Sequence, residues 1–129
     1  MNFDRKYLVW ALVYAVVGMG LGIVMAATHD HAQQSTHTHM LLVGFVASLI
    51  YGVIHKLWLS DGKIPGLARA QFIAHQAGTI AMSVGLLLEY GNIFSAAQLD
   101  PILAIASITV LLGALLMVFM VFKTGTVKT

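Results

Sequence analysis

Four of the six histidines in this chain lie within eleven residues, in the stretch "HDHAQQSTHTHMLLVGFV" at positions 29 to 46. They are His29, His31, His37 and His39. Imidazole nitrogens are good ligands for zinc, copper and iron. The chain has no cysteine, which excludes thiolate zinc sites, iron–sulfur clusters and covalently attached haem. The cluster therefore predicts a metal site built from imidazole ligands.

The spacing of His37 and His39 limits what the pair can do together. Residues two apart on an α-helix point about 200° away from each other. Two ligands of one ion on one helix are normally three or four residues apart. The pair therefore suits two separate sites, or one site on each flank of the helix. The alternative is a hydrated cluster at the membrane interface, where polar residues cost little free energy.

The other histidines have their own competing interpretations. His29, Asp30 and His31 could bind zinc or copper together with the later pair, or they could be hydrated residues of a loop. His75 lies inside an apolar segment, where an ionisable residue usually faces the bundle interior and marks function. Its structural alternative is a neutral imidazole bonded to a serine, a threonine or a carbonyl of a neighbouring helix. His55 is expected at the membrane interface.

The segments that carry these histidines are typical of a membrane protein. Of the 129 residues, 59% are hydrophobic and 9% are charged, whereas soluble domains are about 25% charged. Four apolar segments predict transmembrane helices at about 7–27, 36–59, 68–90 and 101–122, with Pro101 as the first helical residue of the last one. The predicted fold is a single all-α polytopic domain over residues 1–129. A net charge of +2 does not suggest nucleic acid as a partner.

The basic residues predict the orientation of these helices. All seven precede the first helix, lie between the second and third, or follow the fourth. Cytoplasmic loops are enriched in lysine and arginine, so we expect both termini in the cytoplasm, the inner membrane as the location, and the histidine-rich loop in the periplasm. The turn "SDGKIPG" at 60–66 is expected on the cytoplasmic side. The basic residues are Arg5, Lys6, Lys56, Lys63, Arg69, Lys123 and Lys128.

Two stretches resemble a known family. "THTHMLLVGFVASLIYGVIHKLW" and "QFIAHQAG" are similar to the second and third helices of small four-helix proteins called cytochrome c oxidase subunit I-like, which have "HAHLNLLGW" and "HFWLHNxG" motifs there. Leu41 stands where that family often has asparagine, and Gln71 replaces a histidine. The family is related to one four-helix arc of the large subunit of haem–copper oxidases and nitric-oxide reductases. The copper-site histidine pair and tyrosine of the oxidases have no counterpart here, which favours a redox carrier over an oxygen-reducing enzyme.

The resemblance implies a low-spin haem b near the outer face, with His37 and His39 as axial ligands. Each imidazole would point to one neighbouring interface of a homo-oligomer, with a trimer favoured over a dimer. Thr36 would support the ligands, and Gly44 would leave room for the porphyrin. His75 is the rival axial ligand, although it should lie on the order of 10 Å deeper than His39.

Such a haem would serve electron transfer or the binding of nitric oxide or oxygen. A respiratory-chain protein or a quinone would be the redox partner. Two other functions stay open. One is copper or zinc binding by the outer histidines, and the other is an accessory or assembly subunit of a respiratory complex.

Overall fold

The computed structural model describes residues 2–59 and 64–124, which form four long helices. Helix α1 spans Phe3–Thr28, α2 spans Gln34–Leu57, α3 spans Pro65–Tyr90 and α4 spans Ala96–Thr124. All four are long and apolar enough to cross a membrane, and the described residues contain no strand. The prediction of an all-α chain with four such helices is confirmed. Most of the predicted turn at 60–66, together with Lys63 and Lys128, lies outside the described residues.

Helix α4 begins five residues before Pro101, so the prediction that Pro101 opens this helix is wrong. A reciprocal cap explains the earlier start. The Ser95 backbone N–H donates to Gln98 Oε1 (3.0 Å), and the Gln98 backbone N–H donates to Ser95 Oγ (3.2 Å). This capping box satisfies two backbone donors at the helix end. Pro101 then lies inside the second turn, where it removes one backbone hydrogen bond.

Helix α2 is not a regular α-helix along its whole length. It begins as the α-helical turn Gln34–His39, continues as a π-helix over Met40–Val46 and returns to α-helix over Ala47–Leu57. Its buried face carries Thr36, Gly44, Ser48 and Gly52, at intervals of four or eight residues. Four residues of α-helix advance about 40° beyond a full turn, and the wider π turns offset that rotation. The π segment therefore keeps the N-terminal part of α2 facing the bundle.

Glycines allow the helices to approach closely. A Cβ at Gly52 of α2 would lie 3.2 Å from the Asp4 carbonyl oxygen of α1, and a Cβ at Gly78 of α3 would lie 2.8 Å from Val110 of α4. Helix α1 packs along α2, α3 packs along α4, and α3 also contacts α2. Two apolar clusters fill the space between them, one with Leu59, Ala68, Met117 and Met120, the other with Met82, Leu86 and Ala106.

Candidate functional site

His37 and His39 lie near the start of α2, directly before the π segment. His37 Nδ1 is 2.7 Å from the Gly18 carbonyl oxygen of α1, and His39 Nδ1 is 2.8 Å from the Ser35 carbonyl oxygen of α2 itself. A carbonyl can only accept, so in a neutral ring both Nδ1 atoms carry the proton and both Nε2 atoms carry a lone pair. Neither Nε2 is hydrogen-bonded to any residue within 2–59 or 64–124. A metal ion that binds a neutral imidazole through Nε2 needs this tautomer.

The ring of His37 lies in a slot on α1. The slot exists because Gly22 has no side chain: a Cβ there would come within 2.9 Å of His37 Cε1 and 3.6 Å of Nε2. The backbone of α1 thus holds one side of the ring, and the Gly18 carbonyl holds its Nδ1. His37 and His39 are therefore fixed by different helices and do not share a hydrogen-bond partner.

The supporting residues that the sequence suggested have other contacts. Thr36 is fully buried, but its hydroxyl donates to Gln33 Oε1 (2.7 Å) rather than to an imidazole. Gln33 Nε2 in turn donates to the Leu87 carbonyl (3.1 Å), which ties the loop before α2 to the end of α3. A Cβ at Gly44 would lie 2.6 Å from Cγ of Tyr14. The Tyr14 ring thus fills the space that was expected to admit a porphyrin, and that expectation for Gly44 is corrected.

The loop histidines do not join the pair. His29 and His31 are exposed, and His29 ends α1 with a left-handed backbone at φ 56°. Asp30 Oδ1 accepts from the Ala32 backbone N–H (3.0 Å). Among the described residues, no three histidine, aspartate or glutamate side chains are grouped so as to hold a metal ion. A copper or zinc site that includes the loop would need donors from a second chain or a rearranged loop.

His75 lies in a buried hydrogen-bond chain that joins three helices. The Tyr14 hydroxyl donates to Gln76 Oε1 (2.9 Å), Gln76 Nε2 donates to Ser48 Oγ (3.3 Å), and Ser48 Oγ lies 3.2 Å from His75 Nε2. Because Ser48 accepts from Gln76, its own proton is available to His75 Nε2. The Thr79 hydroxyl donates to the His75 carbonyl (2.6 Å). The alternative of a serine-bonded imidazole, left open by the sequence, is the arrangement that forms.

Aromatic rings and backbone close the remaining sides of His75. Its ring centroid is 4.9 Å from that of Tyr51, edge-on, and 6.2 Å from that of Tyr7. The backbone of Gly113 packs against it, since a Cβ on that glycine would lie 3.3 Å from the His75 backbone nitrogen. His75 Nδ1 is buried and makes no hydrogen bond of normal geometry with the described residues, although the backbone of Val43 interacts with the imidazole. Iron ligation here would require the helices to separate.

The depth of His75 also differs from that of His37 and His39. Its partner Ser48 follows His39 on the same helix, and at about 1.5 Å per residue the two lie on the order of 13 Å apart along α2. The predicted depth gap of about 10 Å agrees with this placement. One iron in a single chain would therefore not be ligated by both His39 and His75 without a large movement of α2.

Sequence reasoning missed most of the buried polar core. The Tyr7 hydroxyl donates to Gln71 Oε1 at a short distance, and Gln71 Nε2 donates to the Gly113 carbonyl (3.2 Å). A signal for this core exists in the sequence, because polar side chains recur every four residues along α3, at positions 71, 75, 79 and 83. All four are buried. A polar stripe of this kind in an apolar segment predicts the face that packs against other helices.

His55 lies in the last turn of α2, where the sequence predicts a position at the membrane interface, and its side chain is buried between helices. Its ring stacks between Phe3 (centroids 5.4 Å apart) and Tyr7 (5.5 Å). Its Nε2 has no hydrogen-bond partner within the described part of the chain, and the same holds for Asp4 Oδ1. The inner ends of α1 and α2 thus bury two polar atoms that the bundle leaves unpaired.

No family model, no curated protein and no solved structure matches this chain. The chemistry of the two sites therefore has to be inferred from their own donors and acceptors. His37 and His39 offer two Nε2 atoms that make no hydrogen bond with the described residues. The buried core around His75 offers a hydrogen-bond chain in which most groups already have partners, which suits a structural role.

Proposed function

We propose that this chain is a membrane haem b protein, with His37 and His39 as axial ligands near the outer face of the inner membrane. The observation that carries the proposal is that both Nδ1 atoms are bonded to backbone carbonyls, which leaves both Nε2 atoms as lone-pair donors. When bound, a bis-histidine haem b supplies reversible one-electron transfer. Binding nitric oxide or oxygen would require one imidazole to leave, so electron transfer is the favoured role.

The protein's contribution would be to orient and shield the two imidazoles. A hydrogen bond from Nδ1 to a carbonyl fixes the ring and makes Nε2 a stronger donor. The Gly22 slot fixes His37 further, whereas His39 is held only by the preceding turn of its own helix. Met40, Leu41 and Leu42 follow His39 directly and provide apolar side chains on the membrane side of the pair.

Two residues that are fixed by different helices and lie two positions apart do not converge on one ion. We therefore propose that the pair forms between chains, with His37 of one copy and His39 of the next in a homotrimer, and with a dimer as the alternative. The resemblance implies that one chain corresponds to one four-helix arc of the large oxidase subunit, so several copies would assemble as several arcs. Both termini would lie in the cytoplasm, and a respiratory-chain protein or a quinone would exchange electrons with the haem.

The absorption spectrum of the purified full chain tests this proposal, in the oxidised and reduced states and after expression with adequate haem supply. We expect a Soret band in the natural chain and its loss in His37→Ala and in His39→Ala. The matched controls are His29→Ala and His31→Ala, which remove exposed imidazoles of the same loop region and should retain haem. A natural chain without a Soret band would overturn the proposal.

Elemental analysis separates haem from the two alternative functions. The Nε2 atoms of His37 and His39 could also bind copper or zinc. His29, Asp30 and His31 of a neighbouring copy would then supply further ligands. Stoichiometric copper or zinc without iron would indicate that function. A chain without any metal would indicate an accessory or assembly subunit, in which the histidines have structural roles.

A further inference from the structure

A groove runs between the inner ends of α1 and α2, on the side of the bundle that no described helix covers. Its volume is about 260 Å³. Leu8 of α1 and Leu49 and Val53 of α2 form its apolar walls, and Asp4, Arg5 and Lys56 lie at its end. It lies far from His37 and His39, so the inference does not depend on the proposed haem.

The basic residues of the groove lack ion-pair partners within the described residues. Neither Arg5 nor Lys56 makes an ion pair with any described residue, and both are exposed. Lys6, by contrast, lies 4.8 Å from the centroid of the Phe3 ring. Asp4 interacts electrostatically with the His55 imidazole, and its Oδ1 is buried and accepts no hydrogen bond from the described residues. The groove thus presents two free cations and one acceptor that needs a donor, with formal charges that sum to +1.

The position of the groove matches the edge of a bilayer. Helix α1 has 26 residues, which at about 1.5 Å per residue is longer than the hydrocarbon layer of about 30 Å. Charged side chains are costly in hydrocarbon, so the first turn of α1, with Asp4 and Arg5, would lie in the head-group layer, and Lys56 lies beside it at the end of α2. Leu8, one turn further along α1, lies at hydrocarbon depth.

We infer that this groove binds one anionic phospholipid whose head group carries a hydroxyl donor. The phosphodiester would lie between Arg5 and Lys56, and a head-group hydroxyl would donate to Asp4. An acyl chain would lie along Leu49 and Val53. The lipid's charge of −1 complements the +1 of the groove, and phosphatidylglycerol meets both requirements. A zwitterionic lipid without a hydroxyl donor, such as phosphatidylcholine, meets neither.

Native mass spectrometry of the full chain in detergent, with equal amounts of added lipids, tests this inference. We expect one phosphatidylglycerol to be retained in preference to phosphatidylcholine. Each basic residue near a membrane surface contributes roughly a fivefold preference for anionic lipid, so two contribute about 25-fold. Phosphatidylmethanol, which is anionic but has no hydroxyl, should bind less well than phosphatidylglycerol. Equal retention of phosphatidylglycerol and either of the other lipids would overturn the inference.

A pair of double variants separates a defined site from general attraction to basic residues. Arg5→Gln with Lys56→Gln should abolish the preference for phosphatidylglycerol. The matched control, Arg69→Gln with Lys123→Gln, makes the same change in net charge at basic residues outside the groove and should preserve it. Equal loss in both double variants would show only diffuse attraction to the basic end and would contradict a site.

A third variant tests the groove itself. Val53 is 45% exposed, and the Val53→Trp substitution should fill the groove and prevent retention of the lipid. Val84→Trp, on an equally exposed valine of α3, is the control and should retain it. Circular dichroism would check that both variants are helical. Retention of the lipid by Val53→Trp would contradict the inference. A change in the oligomeric size of this variant relative to the natural chain would also contradict it, because it would show that a second copy of the chain occupies the groove.

Discussion

Gly22 of α1 offers a way to displace the His37 imidazole without removing it. A Cβ at this position would lie 2.9 Å from His37 Cε1, whereas ordinary contacts of a Cβ begin at 3.4 Å. In Gly22→Ala the ring must therefore move by about 0.5 Å, which is the difference between those two distances. The ring is also held by its 2.7 Å contact to the Gly18 carbonyl, so the movement disturbs that hydrogen bond. Gly20 is the matched control, because a Cβ there meets nothing within 4 Å.

The size of the effect follows from two opposing contributions to stability. Alanine is favoured over glycine inside a helix by about 1 kcal/mol, and both variants gain this. Only Gly22→Ala adds an overpacked contact, which costs about 1–3 kcal/mol. A ligand has to be held within about 0.5 Å of its productive position, and a disturbed hydrogen bond to a ligand typically weakens metal binding about 10- to 100-fold. We therefore expect Gly22→Ala to bind haem about 10- to 100-fold more weakly, and Gly20→Ala to bind it normally.

Titration of haem into the haem-free chain in detergent, followed by the Soret band, measures this affinity. The reduced spectrum also reports loss of one axial imidazole as a change from low to high spin. Unfolding of both variants by increasing SDS in mixed micelles measures the stability difference. Normal haem affinity in Gly22→Ala would refute the role of the slot in positioning His37. Equal weakening in Gly20→Ala would show that α1 acts on haem binding by some other route.

Three further predictions concern packing. His75→Ala should lower the free energy of unfolding by about 2–4 kcal/mol, because it leaves a cavity and an unpaired serine, and it should still bind haem. If His75→Ala lost haem and His37→Ala kept it, the iron would instead lie between α2 and α3. Gly44→Ala should cost about 1–3 kcal/mol, since its Cβ would lie 2.6 Å from the Tyr14 ring, and an unchanged unfolding curve would contradict that contact. Ser95→Ala should cost about 1 kcal/mol and speed amide hydrogen exchange in the first turn of α4, whereas unchanged exchange at Gln98 would argue against the capping box.

The number and type of helices could be predicted because the property that allows a helix to span a membrane is present within each segment and does not depend on the other helices. A run of about 20 apolar residues lowers its free energy in lipid whatever its neighbours are. The predicted first and last residues of the helices were less accurate, because local hydrogen bonds decide where a helix begins and ends. The early start of α4 depends on the box between Ser95 and Gln98, a pattern visible in the sequence that the proline at 101 obscured.

The roles of individual polar residues depended on partners that are distant in the chain. Gly44 was expected to leave space, but Tyr14, thirty residues earlier, fills it. His75 was equally open to a functional and a structural interpretation until Ser48 of α2 was found 3.2 Å from its Nε2. The spacing of polar residues along α2 or along α3 does not show which residue of another helix each of them contacts.

The sequence by itself determined that this chain has four helices able to span a membrane, that it has no cysteine, and that four of its six histidines lie at or just before the start of α2. The tertiary structure alone decided the tautomers of His37 and His39, the π segment that keeps α2 facing the bundle, and the enclosure of His75. The physical reason is that lipid offers no water to satisfy polar groups. Most buried donors therefore need an acceptor in the protein, and where that acceptor is on another helix, only the packing of the helices specifies which residue supplies it.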